Sequence, residues 1–295
     1  MNLIESIFMG IIQGVTEFLP VSSSGHLAIF KNLFGLQDVG LLFDVLLHVG
    51  TLIAVFIVFW KDILELIVNG IGIIVDSFKN VGYFFYNLVE KNKAGYKKKK
   101  YINVISTSYR KFAMLVIVST IPTGIMGILF NDLIESASSA LIIPGICLLI
   151  TGTLLLIADS TPDGKKNEDT VSYKNAAVVG VCQGIATLPG ISRSGTTIVA
   201  CLISKMDRKF AVKYSFIMSI PVILGAAVLE VKDIGSVGIS GGEVFNYIMG
   251  MIVATVVGYI CIKTMLKVVR NKKFKGFSIY CYIVGLIAII GYFVK

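Results

Sequence analysis

The sequence predicts an all-α polytopic membrane protein: six full transmembrane helices and two re-entrant helical hairpins, arranged as an inverted-topology repeat. Three observations carry this: an apolar composition, six apolar stretches long enough to cross a bilayer, and a gapless internal repeat at an offset of 170 residues.

Of 295 residues, 55% are hydrophobic and 15% charged, against about 25% charged in soluble domains. The bilayer is therefore its solvent. Segments 41–60, 112–130, 141–158, 210–229, 244–266 and 277–294 approach or exceed the roughly 20 residues that cross hydrocarbon. The first 20 residues are apolar but carry Glu5, Gln13 and Glu17, with no basic leader and no small-residue cleavage site. They read as mature fold rather than as a signal peptide. Basic residues give a net charge of +9, yet they cluster in the links between apolar segments. Orientation and anionic lipid account for them there, so no nucleic acid is expected as a partner. Cys147, Cys182, Cys201, Cys261 and Cys281 lie in or beside apolar segments without metal-type spacing, and read as packing residues.

The repeat lays 13–26 (QGVTEFLPVSSSGH) over 183–196 (QGIATLPGISRSGT), with Gln, Gly, two Ser and Gly coincident. The same shift superposes 41–60 on 211–230, and two further spans follow in each half, as a duplication requires. The first repeat is then 1–158, with a hairpin at 1–36, three spans and a cytoplasmic insertion at 61–109. The second is 176–295, with a hairpin at 176–204 and three spans, in a single membrane domain. Each motif sits between pieces too short to span, 3–18 and 24–34, then 176–187 and 194–204. Irregular Pro-Ser-Gly backbone at membrane depth must be buried in protein or line a wet cavity, because hydrocarbon cannot satisfy its amides. Both motifs are expected in one cavity.

Orientation follows from the basic residues. Lys91, Lys93, Lys97, Lys98, Lys99, Lys100, Arg110 and Lys111 fall between the first two spans, and Lys263, Lys267, Arg270, Lys272, Lys273 and Lys275 between the last two. Both links are expected in the cytoplasm. The links 131–135 and 231–243 hold at most one Lys and fall outside, which leaves both termini external and inverts one repeat against the other. Residues 63–90 would break this count as a span; Glu65, Asn69, Asp76 and Lys79 favour an amphipathic helix on the surface. Trp60, ahead of Lys61, reads as an interface anchor.

Ionisable groups in an apolar setting are costly and mark function. Gln13, Glu17, Ser22, Ser23, Ser24 and His26 form such a cluster. An interhelical hydrogen-bond network is the plainer alternative, and capping of a half-helix is the simpler role for each serine taken singly. Arg193, between Ser192 and Ser194 at the start of a half-helix, offers a planar fork that can join exposed amides in holding a phosphate. Its alternative is a salt bridge to Glu17. Gln13, Ser22, Ser24, Ser192, Ser194 and Thr197 complete the candidate phosphate contacts. Ser23 and His26, three apart, share a face of a first helical turn, as a nucleophile and a general acid/base would. Three roles are open to Glu17: orienting the imidazole, holding a divalent cation with phosphate oxygens, or acting as the base. Asp44 and His48, four apart on the first span, are candidates to support the cavity from behind or to lock two helices.

With those residues in hand, segment 13–26 and the run Pro189-Gly-Ile-Ser-Arg-Ser-Gly-Thr-Thr-Ile198 resemble the two signatures of the undecaprenyl-diphosphate phosphatase (bacitracin-resistance protein) family. The likeness extends through 43–51 (FDVLLHVGT) and the order of apolar segments, and 61–109 is the divergent part. The resemblance implies dephosphorylation of a polyprenyl diphosphate carrier at the outer face of the bacterial plasma membrane, in support of peptidoglycan synthesis. It also implies a divalent cation, Mg or Ca, at an acidic motif, and points to Glu17, Ser23, His26 and Arg193. Gln13 stands where many members have a glutamate, which leaves Glu17 as the motif's carboxylate for a metal. Membrane lipids are implied partners, and a homodimer is left open. The rival reading is a lipid-phosphate flippase or transporter, since broken helices meeting at the midplane also build carriers. A carrier needs the anion site but no nucleophile.

Overall fold

The computed structural model describes residues 1–36, 41–93, 95–130, 133, 134, 137, 142–231 and 241–294. Helices α1 (Leu3–Phe18) and α2 (Ser23–Phe34) form a first hairpin, followed by α3 (Leu41–Glu90), α4 (Ser108–Leu129) and α5 (Ile142–Ser160). A second hairpin, α6 (Tyr173–Ile185) and α7 (Arg193–Ile203), precedes α8 (Arg208–Val231), α9 (Gly241–Arg270) and α10 (Lys275–Val294). Local sequence sets the starts: Asn2 and Glu5 form a capping box on α1, and the side chains of Thr107 and Ser172 cap α4 and α6, which satisfies amides that a helix start leaves free.

Among the described residues, six helices are long and apolar enough to cross a membrane, and they match the six spans read from the sequence. The chain is a multi-pass membrane protein. The four hairpin helices have 16, 12, 13 and 11 residues, about 16–24 Å at 1.5 Å per residue, too short for a hydrocarbon core of roughly 30 Å.

Residues 63–90 continue from the first span across a kink at Phe59 (φ −109°, ψ 23°), where the helical backbone is interrupted between two helical stretches. No Pro or Gly stands between Thr51 and Asn69, so the change of direction is absorbed at that one residue. The links 131–135 and 231–243 lie largely outside the described residues.

Three long helix pairs organise the bundle: α1 along α9, α6 along α4, and α5 along α10. Their approach is close. A Cβ on Gly10 would sit 2.4 Å from the Gly250 carbonyl oxygen, and one on Gly180 2.1 Å from that of Ser119. Small residues at such crossings let backbones pack where lipid supplies no hydrophobic drive between helices. Helices α3 and α8 pack together, with the Phe59 and Phe216 ring centroids 6.3 Å apart, and Phe18 at the end of α1 meets Phe216 edge-on at 5.3 Å.

Polar contacts define the two ends. At one, Asn246 Nδ2 donates to the Met1 carbonyl at 3.0 Å, so α1 and α9 begin together. At the other, Ser108 Oγ donates to Asp169 at 3.0 Å, which brings α4 and α6 together at their starts. Asp163 accepts from Arg208 Nε at 2.6 Å and pairs with Lys272 at 3.0 Å, while Asp159 accepts the N–H groups of Phe274 and Lys275. Both basic links therefore leave from this second end.

Candidate active site

The two hairpin tips are built alike. Ser22 Oγ accepts the N–H of Gly25 at 3.3 Å and lies 3.3 Å from Ser24 Oγ; Ser192 Oγ accepts the N–H of Gly195 at 3.1 Å and lies 3.4 Å from Ser194 Oγ. The first serine of each triplet, Ser22 and Ser192, is thus the N-cap of its half-helix. The tips also hold each other, Gly190 N–H donating to Ser24 Oγ at 3.5 Å and Ser194 Oγ to the Leu19 carbonyl at 3.4 Å. From α5, Thr151 Oγ1 donates to the Gly190 carbonyl at 3.1 Å and accepts the Ser192 N–H at 3.0 Å. Gly190 needs to be glycine: its φ is +95°, and a Cβ would fall 2.3 Å from the Pro144 carbonyl oxygen.

Between the tips lies a cavity of about 260 Å³ lined by Glu17, Ser23, Ser24 and His48 from the first half and by Gln183, Thr187, Ser192 and Arg193 from the second. Val222, Ile223, Ala226 and Ala227 of α8 form an apolar wall. That volume is under the roughly 300–1,000 Å³ of whole-ligand sites, and suits a headgroup more than an entire lipid.

Glu17 is the hub of the cavity. It is 6% exposed. Its Oε1 accepts from Arg193 Nη2, its Oε2 accepts from Ser23 Oγ at 2.6 Å and from Gln13 Nε2 at 3.0 Å, and His48 Nε2 stands 3.9 Å away. The salt bridge foreseen as the alternative for Arg193 is thus present, but it uses one arm only. Nη1 of Arg193 is buried with no hydrogen-bond partner, and a buried donor so left favours an anion that can accept from it. The half-helices α2 and α7 both begin at this cavity, at Ser23 and Arg193, and helix starts attract anions. Of the three adjacent serines, Ser23 is the one whose hydroxyl meets the carboxylate.

The histidines divide differently from their spacing. Both nitrogens of His26 are engaged: Nδ1 lies 2.7 Å from the Ser22 carbonyl, Nε2 lies 2.8 Å from Tyr280 Oη, and the ring stacks on Tyr280 at 5.6 Å. A carbonyl only accepts, so Nδ1 carries the proton and Nε2 accepts from the tyrosine. His48 Nδ1 lies 2.8 Å from the Asp44 carbonyl, which only accepts, so Nδ1 carries a proton there, and Nε2 faces Glu17 at 3.9 Å. Ser23 and His26 share a helix face as spaced, but the serine turns to α1 and the imidazole to α10. Asp44 pairs with Lys31 at 2.5 Å, which fastens α3 to α2. Thr197 Oγ1 donates to the Arg193 carbonyl at 2.8 Å and lies 2.5 Å from Ser215 Oγ, inside the helix packing.

Sequence reading missed Tyr280, Thr151 and Gln183. The signal for Gln183 was there, since it is the repeat equivalent of Gln13. Thr151 and Tyr280 are single polar groups on apolar spans, and their partners lie 39 and 254 residues away.

Among the described residues no group of three or more His, Cys, Asp or Glu is placed to hold a metal ion. Glu17 offers one carboxylate, and beside it the Oε1 of Gln13 is buried without a hydrogen-bond partner. Gln13 does not line the cavity and both oxygens of Glu17 accept hydrogen bonds, so a divalent cation at Glu17 would draw most of its ligands from a phosphorylated substrate.

Fold and cavity together define a class: a polytopic membrane protein with a serine, a carboxylate and an arginine converging on one cavity at two broken-helix tips. The family described as Bacitracin resistance protein BacA matches residues 6–287. The chain is 41% identical over 290 residues to a protein of Halothermothrix orenii, covering 98% of both chains, and 40% identical over 291 residues to one of Alkaliphilus metalliredigens, again 98% of both. It is 39% identical over 290 residues, 98% of both chains, to a protein of Methanosphaera stadtmanae. All three relatives carry the name undecaprenyl-diphosphatase. The chain belongs to the BacA family.

Proposed function

We propose that this chain is a phosphatase that hydrolyses undecaprenyl diphosphate to undecaprenyl phosphate and inorganic phosphate, and so returns the lipid carrier to cell-wall synthesis and confers bacitracin resistance. The carrying observation is the Ser23 hydroxyl, 2.6 Å from Glu17 and across from the unpaired arm of Arg193. In this reading Ser23 Oγ attacks the terminal phosphorus, Glu17 takes its proton, and the bond to the bridging oxygen breaks to release the lipid monophosphate. Arg193 and the amides opening α2 and α7 stabilise charge on the phosphoryl oxygens. Water then cleaves the phosphoserine, with His48 Nε2 as its base. His26, with both nitrogens occupied, holds the hairpin tip through Ser22 and Tyr280 and acts as a positioning residue. Glu17 would hold a divalent cation, Mg or Ca, which when bound neutralises diphosphate charge.

The same reading takes 1–158 and 176–295 as inverted repeats in the plasma membrane, with the basic links in the cytoplasm, both termini outside and the cavity open to the outer face. The matched pairs α1–α9 and α6–α4, and the hairpins that begin at opposite ends of the bundle, support it.

The test is phosphate release from undecaprenyl diphosphate by purified protein in detergent, with Ser23→Ala beside it. Release that the variant abolishes supports the hydrolase. No release, together with lipid movement between leaflets in vesicles, would make the chain a carrier.

A further inference from the structure

Beyond the bend at Phe59, residues 61–90 of α3 take no part in the cavity. They sort sharply by face. Asn69, Asp76, Asn80 and Asn87 stand at intervals of 7, 4 and 7, a single stripe about 40° wide at 100° per residue. An extended segment, 96–107, runs antiparallel along that stripe. Asn80 brackets Ile102, its Nδ2 donating to the carbonyl at 2.8 Å and its Oδ1 accepting the N–H at 2.7 Å. Asn87 brackets Lys99 in the same way, at 2.9 and 2.8 Å, and Thr107 Oγ1 donates to Asn69 at 3.0 Å. The chain's own backbone therefore covers the polar face. On the opposite face Ile67, Ile71, Ile74, Phe78, Val81 and Phe85 are each more than half exposed.

The direction of this half-helix follows from its contacts. Asp62, Asn69 and Asp76 span 14 residues, about 21 Å of helix. Their partners Tyr109, Thr107 and Arg110 all stand at the first turn of α4, at 3.0, 3.0 and 2.7 Å. A helix running alongside α4 would spread those partners over several turns. Convergence on one turn means that it crosses the head of α4, and a Cβ on Gly72 would meet Arg110 Nη2 at 2.7 Å, where the guanidinium lies over the crossing. Because α4 spans the bilayer, the half-helix stays at the level of the membrane surface. Charge agrees: residues 61–111 hold ten Lys and Arg against four Asp and Glu. Lys99 sits over the Tyr86 ring at 4.2 Å, on the flank of the helix.

We propose that α3 beyond Phe59 lies in the headgroup–acyl boundary of the leaflet where α4 begins, with its apolar face among acyl chains and its lysine-rich strap 96–107 drawn to anionic phospholipid. A helix about 10 Å across keeps the strap within roughly one Debye length of the headgroups. An amphipathic helix of this kind binds by apolar burial together with attraction to anionic lipid.

The chain's single tryptophan, Trp60, makes the test direct. In a Trp60→Phe background, Ile71→Trp, Phe78→Trp and Phe85→Trp are each reconstituted into phosphatidylcholine vesicles with and without phosphatidylglycerol. The lipids are brominated either near the headgroup or near the chain end. Ile74→Trp and Val81→Trp, on the same face, replace any variant that does not fold. At all three positions the shallow bromine should remove about half of the fluorescence or more, equally, and the deep bromine less, as burial at the acyl boundary requires. Phosphatidylglycerol should increase the quenching, and glutamine at Lys97, Lys98, Lys99 and Lys100 should cancel that increase. Quenching that moves from shallow to deep between residues 71 and 85 would mean a further span, and no quenching would mean water or a protein partner on that face. Either overturns the proposal, as does a response indifferent to phosphatidylglycerol.

Discussion

Arg193 opens α7 and Glu17 lies in the last turn of α1, and across 176 residues of sequence one arm of the guanidinium holds the carboxylate while the other is buried without a partner. In the proposed mechanism the pair serves as an anion site: Glu17 fixes the fork, and the spare arm is left for the phosphate. A lysine can keep the ion pair but cannot span carboxylate and phosphate together. Arg193→Lys should therefore lower kcat/KM for phosphate release by about 100-fold or more, the scale of losing one preorganised donor. Elution as a folded species in size-exclusion chromatography, and an unchanged melting temperature within a few degrees, should accompany the loss. Near-normal turnover would sink the clamp.

Gly190 tests the meeting of the two tips. Alanine there combines a left-handed backbone, φ +95°, with a methyl 2.3 Å from the Pro144 carbonyl oxygen. Backbone cannot give as a flexible side chain can, so Gly190→Ala should destabilise by roughly 2 kcal/mol or more. A melting curve in detergent reads this, with Gly225→Ala, where a Cβ meets open space, as the control that should change little.

Much of this was legible in the sequence, and what was not has a physical reason. The six spans follow from hydropathy, and the pairing of the motifs in one cavity follows from the cost of bare backbone in lipid. The kink at Phe59 was not legible, because no Pro or Gly marks it and a partner that holds the helix beyond it, Lys213 3.1 Å from Asp62, lies 151 residues away. The histidines make the same point. Spacing fixes the face that His26 shares with Ser23, but Tyr280, on a helix far along the chain, decides where its ring points.

That division yields a further prediction. His48→Gln removes the imidazole beside Glu17 and should lower kcat, with KM less affected. His26→Ala and Tyr280→Phe should instead be non-additive with each other, as expected of a pair that holds the tip. A larger loss of kcat in His26→Ala than in His48→Gln would return the acid–base role to His26.

Asp163 supplies a pH-dependent fastening at the end that carries the basic links. Hydrogen bonds from Arg208 and then Lys272 hold its carboxyl below its ordinary value of 3.8. A group whose pKa is lowered on folding adds stability that is present above its ordinary range and lost as pH falls through the lowered value. The melting temperature of Asp163→Asn should lie below that of the native chain at neutral pH, and the gap should close as pH drops under about 4. A gap that persists unchanged into acid would mean that the carboxylate's charge is not what fastens Arg208 and Lys272.

The proposed chemistry turns on Ser23. Its neighbours have other work, Ser22 capping α2 through Gly25 and Ser24 accepting from Gly190, while the Ser23 hydroxyl donates to Glu17 at 2.6 Å. A nucleophile acts chiefly in the transition state, so Ser23→Ala should lower the single-turnover rate by several orders of magnitude with substrate affinity nearly unchanged. Ser22→Ala and Ser24→Ala should cost far less, on the order of 1 kcal/mol in stability, Ser22 for a lost cap and Ser24 for the lost hydrogen bond from Gly190. Glu17→Gln separates the base from the clamp, because an amide still accepts from Arg193 but takes no proton from Ser23. Its rate should fall about as far as that of Ser23→Ala, and the double variant should be little worse than either, since groups that act as one unit are not additive. Equal, modest losses at all three serines, with Glu17→Gln alone severe, would leave the serines as caps and make water the nucleophile with Glu17 as its base.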